Sequence, residues 1–186
     1  MVKQNQEQTM ETVLNRIAQR SKEDGEDFKW LMPHFNFANL YTCFMELDGN
    51  KAVGVDGMTK EEYGRNIVEN LKGLIEKMKR MSYRPRAVRE VRIPKEGQKG
   101  KYRPLGISCF EDKIVQLMTS KILEAIYEPV FRDCSHGFRP NRNCHTAVKT
   151  LSDYLYKKWY TVVLDIDLKN YYWNNRPQKI DRVFEA

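Results

Sequence analysis

The spacing of apolar residues predicts three helices in the N-terminal part of the chain. The first has the i, i+3, i+4, i+7 pattern of an amphipathic helix, at Met10, Val13, Leu14 and Ile17. The second is predicted over residues 35–47, with a buried face of Leu40, Tyr41, Phe44 and Leu47. The third opens on the capping box Thr59-Lys60-Glu61-Glu62, and its buried stripe is Tyr63, Ile67, Leu71, Leu74 and Met78.

From Ser82 the pattern becomes that of a β-hairpin. Alternate residues of a strand share a face, which groups Ala87, Arg89, Val91 and Ile93 on one side and Val88, Glu90 and Arg92 on the other. The segment EGQKGK is predicted to be the turn because it contains Gly97 and Gly100, and KYRPLGI is the returning strand. Pro104 in the returning strand indicates an edge strand or an end of regular pairing.

Two further helices and a short strand are predicted after the hairpin. Ser108-Cys109-Phe110-Glu111 has the form of a second capping box, before a helix that Pro129 ends. The loop FRDCSHGFRPNRN follows, and another helix is predicted over residues 144–157. Residues 160–166 are almost wholly apolar, as in a strand that is buried on both faces. The predicted fold class is α+β.

Length and composition favour one substantial core. At 186 residues we expect one main unit with an N-terminal helical arm. No apolar run approaches the roughly eighteen residues that a membrane span needs, and the N-terminus lacks the apolar core of a signal peptide. We therefore expect a soluble intracellular protein with no membrane partner.

The four cysteines favour a reducing compartment. They include no CxxC pair, which argues against a disulfide framework and against a zinc ribbon. Cys134, His136, Cys144 and His145 are the alternative, a zinc site, but their spacing is irregular.

The positive charge of the chain is concentrated in one segment. The formal net charge is +7, and residues 77–103 hold 11 Lys or Arg against two Glu. Such a segment is typical of a surface that binds nucleic acid, although a solvated basic face has the same composition.

Two places along the chain suggest phosphoryl chemistry. Asp165 and Asp167 follow the apolar strand and alternate across its pleat, so one of them could face a site and bind Mg²⁺, while the alternative is that both only terminate the strand. The hairpin carries Lys95, Lys99, Lys101 and Arg103, which could close over a triphosphate or simply keep an edge strand soluble.

The loop HGFRPNRN suggests contact with RNA. Phe138 could stack on a base, and Arg139 and Arg142 could bind phosphates.

Five segments in order resemble one family. They are GVDGMT, IPKEGQKGKYRPLGI, DKIVQ, HGFRP and VVLDIDLKNYY, and they are similar to successive blocks of the group II intron-encoded reverse transcriptases, also called maturases. The resemblance covers residues 35–172. It implies an RNA-directed DNA polymerase with a right-hand fold, of which this chain would provide an N-terminal extension (1–34), the fingers (35–159) and the first palm strand with a truncated palm (160–186).

The resemblance also implies roles for individual residues. Asp167 is the first catalytic carboxylate and a metal ligand, because the family places an aromatic residue five positions later and Tyr172 meets that spacing, while Leu168 offers its carbonyl to the metal. The incoming triphosphate is held by Lys95 and Arg103, with Arg89 as a third group, and Tyr172 packs under the deoxyribose. The expected RNA contacts are Arg84, Arg86, Lys99, Lys101, Phe138, Arg139 and Arg142.

The sequence departs from the family pattern in three respects. No Tyr-x-Asp-Asp occurs, although the family uses it with the first aspartate to bind two metal ions. The segment WNNRPQKIDRVFEA differs from the usual continuation of the palm, and Asn141 and Asn143 stand where Gly and Ser are usual. We therefore expect a fragment that cannot polymerise alone.

Three functions remain open at this point. The chain could be the fingers and partial palm of a polymerase that uses Mg²⁺, dNTP, template RNA and a DNA primer. It could instead be a stand-alone module that binds intron RNA and assists folding and splicing. A third alternative is self-association as a homodimer through exposed apolar surface. A bacterial cytoplasm or an organellar matrix fits all three.

Overall fold

The computed structural model describes residues 9–24, 28, 31–157, 160 and 162–168. The described residues form an α+β fold with six α-helices and one two-stranded antiparallel sheet. The helices are α1 (Met10–Asp24), α2 (Phe37–Glu46), α3 (Lys60–Arg65), α4 (Ile67–Lys79), α5 (Phe110–Tyr127) and α6 (Cys144–Lys157), and the strands are β1 (Arg89–Pro94) and β2 (Tyr102–Ile107). The chain divides into two compact units, Met1–Arg132 and Asp133–Ala186.

The core of the first unit is built around α5. Ile114 and Met118 of α5 are fully buried, with Leu40 from α2 and Leu71 from α4 in the same cluster. The predicted N-terminal helix α1 packs on α5 as well, since the Ser21 hydroxyl donates to the carbonyl oxygen of Ile126 at 2.5 Å. No helix within the described part of the chain is long and apolar enough to cross a membrane.

Helix α2 buries a slightly different face from the predicted one. Asn36 caps the helix, and Leu40, Cys43 and Phe44 are buried, whereas Tyr41 is 40% exposed. Positions 40, 43 and 44 form the i, i+3, i+4 set that meets the core, and Tyr41 lies beside it.

The capping box at Thr59 is confirmed, but the helix that follows is interrupted. Thr59 and Glu62 make both reciprocal bonds of the box. The helix then ends at Arg65, and a new one begins at Ile67, because Asn66 leaves the helical conformation with φ −124° and ψ 39°. Gly64 precedes the break, and glycine weakens a helix.

The predicted capping box at Ser108 is wrong. Helix α5 begins one residue later, with Cys109 at the N-cap position and no side-chain cap bond. Cys109 is fully buried against Gly54, and the Ser108 hydroxyl instead accepts a hydrogen bond from Gln116 Nε2 at 3.0 Å. The predicted end of the helix is confirmed, since a short 3-10 turn that contains Pro129 follows Tyr127.

The predicted hairpin is confirmed, and the structure gives its register. β1 and β2 pair antiparallel from Arg89 opposite Ile107 to Pro94 opposite Tyr102. The turn contains Gly97 at φ 70° and Gly100 at φ 75°, values that glycine adopts without steric cost.

The second unit contains a loop and helix α6. Asn143 caps α6, because its Oδ1 accepts from the Thr146 amide at 3.0 Å while Thr146 Oγ1 accepts from the Asn143 amide at 3.0 Å. Asn141 has φ 58°. A serine could cap in the same way and a glycine could adopt the same φ, so both asparagines replace the usual residues without loss of the turn.

The predicted buried strand over residues 160–166 is not formed by the residues that the structure describes there. Residues 160 and 162–168 lie in no helix or strand, and Val162, Leu164 and Ile166 are 80%, 79% and 73% exposed. An apolar run becomes a buried strand only when neighbouring strands pair with it, and the two described strands pair with each other.

Candidate nucleotide and nucleic-acid site

One face of the hairpin gathers the residues expected to hold a triphosphate. Arg89 lies opposite Ile107 and Arg103 lies opposite Ile93, so both arginines belong to the same face of the sheet. The Lys95 amide donates to the carbonyl of Lys101 at 2.9 Å, which continues the pairing beyond the strands and assigns both lysines to that face. We call Arg89, Lys95, Lys101 and Arg103 the cationic face.

The charges of the hairpin are divided unequally between its faces. The strand positions of the cationic face contain no acidic residue, whereas the opposite face carries Glu90, which forms an ion pair with Arg92 at 3.2 Å. Arg103, Lys99 and Lys101 are exposed, and Lys95 is half-buried. The cationic face can therefore attract an anion that bears several negative charges.

The arginines before and at the base of the hairpin already have protein partners. Arg84 donates to the carbonyls of Met81 and Tyr83 at 3.2 and 2.8 Å. Arg86 pairs with Asp56 Oδ2 at 3.1 Å, and Arg89 Nε donates to the carbonyl of Val53 at 3.0 Å. These contacts connect the base of the hairpin to the loop that precedes α3.

Asp112 is a site residue whose role the sequence did not indicate. Its side chain is 3% exposed, and its two oxygens accept from the Tyr83 hydroxyl at 2.5 Å and from the Arg86 amide at 3.0 Å. Burial and this hydrogen bond raise the pKa of Tyr83, so the phenol stays a donor at neutral pH. The only sequence feature that pointed to Asp112 was its position in the block DKIVQ. Its partners Tyr83 and Arg86 are distant in sequence, so the contact itself could not be predicted.

The loop of the second unit displays one aromatic side chain and holds its arginines inward. Phe138 is fully exposed and has φ 56°, which is unusual for a bulky residue. Arg139 is only 9% exposed and donates to the carbonyl of Ser135 at 2.9 Å, and Arg142 contacts Asp133 through its carbonyl and its carboxylate. Phe138 is thus available for stacking, whereas both guanidinium groups help to fix the loop.

The carboxylates of Asp165 and Asp167 are exposed. Asp165 and Asp167 lie in the irregular segment 162–168. Among the described residues, no group of three or more His, Cys, Asp or Glu side chains is placed to hold a metal ion. The Asp167 carboxylate and the Leu168 carbonyl are oxygen donors of the kind that Mg²⁺ prefers, so they suit part of its coordination shell. Tyr172 lies outside the described residues.

Comparison with known proteins gives the family. The family described as "Reverse transcriptase (RNA-dependent DNA polymerase)" matches residues 93–186, which is half of the chain.

Curated relatives carry intron-related names. The chain is 40% identical over 141 residues to the "Group II intron-encoded protein LtrA" of Lactococcus lactis subsp. cremoris, a match that covers 75% of this chain and 23% of that protein. It is 38% identical over 103 residues to "Protein YkfC" of Escherichia coli, covering 55% and 26%, and 36% identical over 124 residues to the "Putative COX1/OXI3 intron 2 protein" of Saccharomyces cerevisiae, covering 66% and 14%.

The chain spans about a quarter of the length of the first two of these relatives. The family match begins inside β1 and includes β2, α5 and α6. The chain therefore belongs to the reverse transcriptase (RNA-dependent DNA polymerase) family and is a member of its group II intron-encoded, maturase-type branch.

Proposed function

We propose that this chain provides the extension (1–34), fingers (35–159) and first palm segment (160–186) of a group II intron-encoded RNA-directed DNA polymerase, and that the cationic face binds the triphosphate of an incoming dNTP. The observation that carries the proposal is the hairpin face on which Arg89, Lys95, Lys101 and Arg103 lie together without an acidic residue. Lys95 and Arg103 are the principal phosphate ligands, and Arg89 is the third.

The experiment measures binding of dATP to the wild-type chain and to two charge-removing variants. Lys95→Ala with Arg103→Ala removes two charges from the cationic face, and we expect affinity to fall about a hundredfold, since each charge-assisted hydrogen bond contributes about 1.5 kcal/mol. Arg92→Ala is the matched control, because Arg92 lies on the opposite face and pairs with Glu90. Equal losses in the two variants would refute a face-specific site.

Magnesium belongs to the proposal through Asp167 and the carbonyl of Leu168. When bound, the ion would neutralise charge on the phosphates during transfer. Tyr172 is proposed to pack under the deoxyribose. These 186 residues contain no Tyr-x-Asp-Asp, so we propose that they do not polymerise by themselves. Primer extension by this chain that is lost in Asp167→Asn would overturn that statement.

RNA binding is the second proposed function, and the basic segment 77–103 with the exposed Phe138 favours it. Template or intron RNA is proposed to contact Lys99, Lys101 and Phe138. Four arginines are further proposed contacts, and each would bind RNA while keeping its present protein partner: Arg84, Arg86, Arg139 and Arg142.

Fluorescence anisotropy against a structured hairpin RNA and an unrelated single strand tests this second function. We expect tighter binding to the structured RNA and a steep loss of affinity with salt, because phosphate contacts release counterions. Weak binding that is equal for both RNAs would reject a stand-alone RNA-binding module.

Homodimerisation is the third proposal. Helix α6 exposes Val148, Leu151, Tyr154 and Leu155 at helical spacing. Such a stripe is typical of a helix that packs against another surface. Sedimentation without RNA over a range of protein concentrations would show the association or exclude it.

A further inference from the structure

The base of the hairpin determines where its cationic groups lie. Among the described elements, the strands β1 and β2 pack chiefly against each other. A strand rises about 3.3 Å per residue, so Lys95 lies roughly 20 Å along the strand from Arg89. A rotation of roughly 5° at the base would therefore displace Lys95 by about 2 Å. Phosphate ligands need placement within about 0.5 Å to act together, so the base of the hairpin must be held rigidly on the rest of the fold.

The buried contact at the base is made by the carboxylate of Asp112. It is 3% exposed, and its oxygens accept from the Tyr83 hydroxyl at 2.5 Å and the Arg86 amide at 3.0 Å. Tyr83 and Arg86 belong to the segment that leads into β1, and Asp112 belongs to the first turn of α5. A buried carboxylate is costly unless its oxygens are satisfied, so the segment and the helix are held together strongly.

Other contacts also hold the two sides of the hairpin base, two of them to the loop before α3 and one to α5. Arg86 pairs with Asp56 at 3.1 Å, and Arg89 Nε donates to Val53 at 3.0 Å. After β2, the Ser108 hydroxyl accepts from Gln116 of α5 at 3.0 Å. The first two turns of α5 therefore bind the chain where it enters the hairpin and where it leaves.

We infer that Asp112 is a positioning residue, which holds residues 83–86 on α5 and thereby fixes the direction in which the hairpin presents Lys95 and Arg103. The consequence for triphosphate binding rests on the proposed function, whereas the orientation of the hairpin does not. Asp112 is not expected to touch the nucleotide, because its oxygens are buried and occupied.

Residual dipolar couplings of the backbone amides test the orientation directly. Tyr83→Phe removes only the hydroxyl that binds Asp112, and Asp112→Asn replaces one acceptor oxygen by a donor. Tyr63→Phe is the matched control, because the Tyr63 hydroxyl binds Glu111 Oε2 at 3.3 Å, one residue earlier on α5, and not Asp112. The couplings of β1 and β2 are compared with those of α5 in each protein.

In the wild type and in Tyr63→Phe, we expect the dipolar couplings of the hairpin and of α5 to give alignment tensors of equal magnitude. In Tyr83→Phe, the magnitude for the hairpin should fall by about a third or more, because the hairpin then moves relative to α5. Both tyrosine variants should lower the melting temperature by a similar amount, about 4 °C. Similar melting temperatures with an unchanged hairpin alignment would overturn the inference, since Asp112 would then only stabilise the fold. Tyr83→Phe keeps the test valid if Asp112→Asn does not fold.

Binding of dATP, measured on the same proteins, separates the two claims. We expect about fivefold to tenfold weaker binding in Tyr83→Phe and no change in Tyr63→Phe, because misplacement of ligands by an ångström or more weakens their joint action. If the wild type does not bind dATP, the proposed function fails and the dipolar couplings still decide the role of Asp112. If dATP binds equally to the wild type, Tyr63→Phe and Tyr83→Phe while the hairpin alignment falls in Tyr83→Phe, the orientation does not serve the triphosphate, and that part of the inference is wrong.

Discussion

Gly54 lies where the loop before α3 meets the start of α5. A Cβ atom built there would lie 2.6 Å from Cys109 Cα and 2.7 Å from its amide nitrogen, distances that side chains do not tolerate. The two residues before Gly54 also bind cationic side chains. Lys113 Nζ donates to the carbonyl of Ala52 at 2.6 Å, and Arg89 Nε donates to the carbonyl of Val53. Glycine at this position is therefore a packing requirement.

Gly54→Ala is expected to lower the free energy of unfolding by about 3 kcal/mol, because the new methyl group meets backbone atoms that cannot rotate away. Gly73→Ala is the control, since Gly73 lies inside α4 with nothing within 4 Å of a Cβ, and it should stabilise the protein by about 1 kcal/mol. Urea unfolding of the three proteins measures both effects. A Gly54→Ala variant as stable as the wild type would mean that the loop moves away from Cys109 at little cost.

Glu62 should make stability depend on pH in acid. The Thr59 amide donates to its carboxylate, which lowers the pKa of Glu62 below the ordinary 4.5. A lowered pKa in the folded state stabilises the protein above pH 4.5, and that contribution is lost as the pH falls through the folded value. Glu62→Gln should therefore be less stable than the wild type at pH 7, and the difference should shrink as the pH falls below 4.5.

Glu61→Gln is the control for the pH experiment, because it removes only an exposed ion pair with Arg65 at 3.6 Å. Guanidinium unfolding at several pH values measures all three proteins. An unchanged difference between wild type and Glu62→Gln from pH 7 to pH 3 would contradict the role of the cap.

Single residues divide into those that the sequence predicted and those that it did not. The capping box at Thr59 was predictable because its partners are three residues apart. Asp112 was not, since Tyr83 and Arg86 lie 29 and 26 positions before it. Local patterns show short-range bonds, whereas a buried bond across the fold leaves no periodic signal.

At the scale of elements, the Asn143 side chain caps the start of helix α6. Asn143→Ala should weaken the first turn of α6 by about 1 kcal/mol, because the Thr146 amide loses its acceptor. Asn143→Ser should retain most of the cap. Amide hydrogen exchange in α6 measures the effect, and equal protection in wild type and Asn143→Ala would show that the cap does not limit opening of the helix.

The elements themselves were largely predictable, and their errors have physical causes. The hairpin followed from strand alternation and two glycines at the turn, because both signals are local in sequence. The helix after Thr59 was predicted as continuous, since its apolar stripe continues through Asn66, which nevertheless leaves the helix. The run over residues 160–166 was apolar enough for a buried strand, but strand formation also needs a partner.

At the scale of the whole molecule, the reactivity of the four cysteines measures how well the core excludes solvent. Cys43 and Cys109 are fully buried, while Cys134 and Cys144 are exposed. Burial raises the pKa of the Cys43 thiol to about 11, and Glu46 adds to the shift, so this thiol stays protonated near neutral pH. A thiol reagent at pH 8 should modify two cysteines rapidly and all four only after denaturation.

The double variant Cys134→Ser with Cys144→Ser is the control, and it should give no rapid reaction. Rapid modification of Cys43 in the native protein would show that the α2–α5 contact opens easily, against the packing of Cys43 with Met118.

The family and the arrangement of the candidate site were predictable to different extents. Ordered sequence blocks identified the family, because they preserve chemistry as well as periodicity. The common face of Arg89, Lys95 and Arg103 needed the pairing register, since strand alternation fixes faces within a strand and the register relates two strands. The burial of Arg139 and its hydrogen bond to Ser135 could not be predicted, because the acceptor is a backbone carbonyl, which every residue carries.

The turn between β1 and β2 is also a place where the chain could be cut without loss of the core. Its tip is exposed and rich in lysine, whereas the core joins α2 and α4, which precede the turn, to α5, which follows it. A cut between Gln98 and Lys99 would leave two polypeptides that each carry half of one hydrophobic interface. Co-expressed as separate pieces, they should find each other and rebuild the unit, so the turn is a natural place for a split-protein reporter.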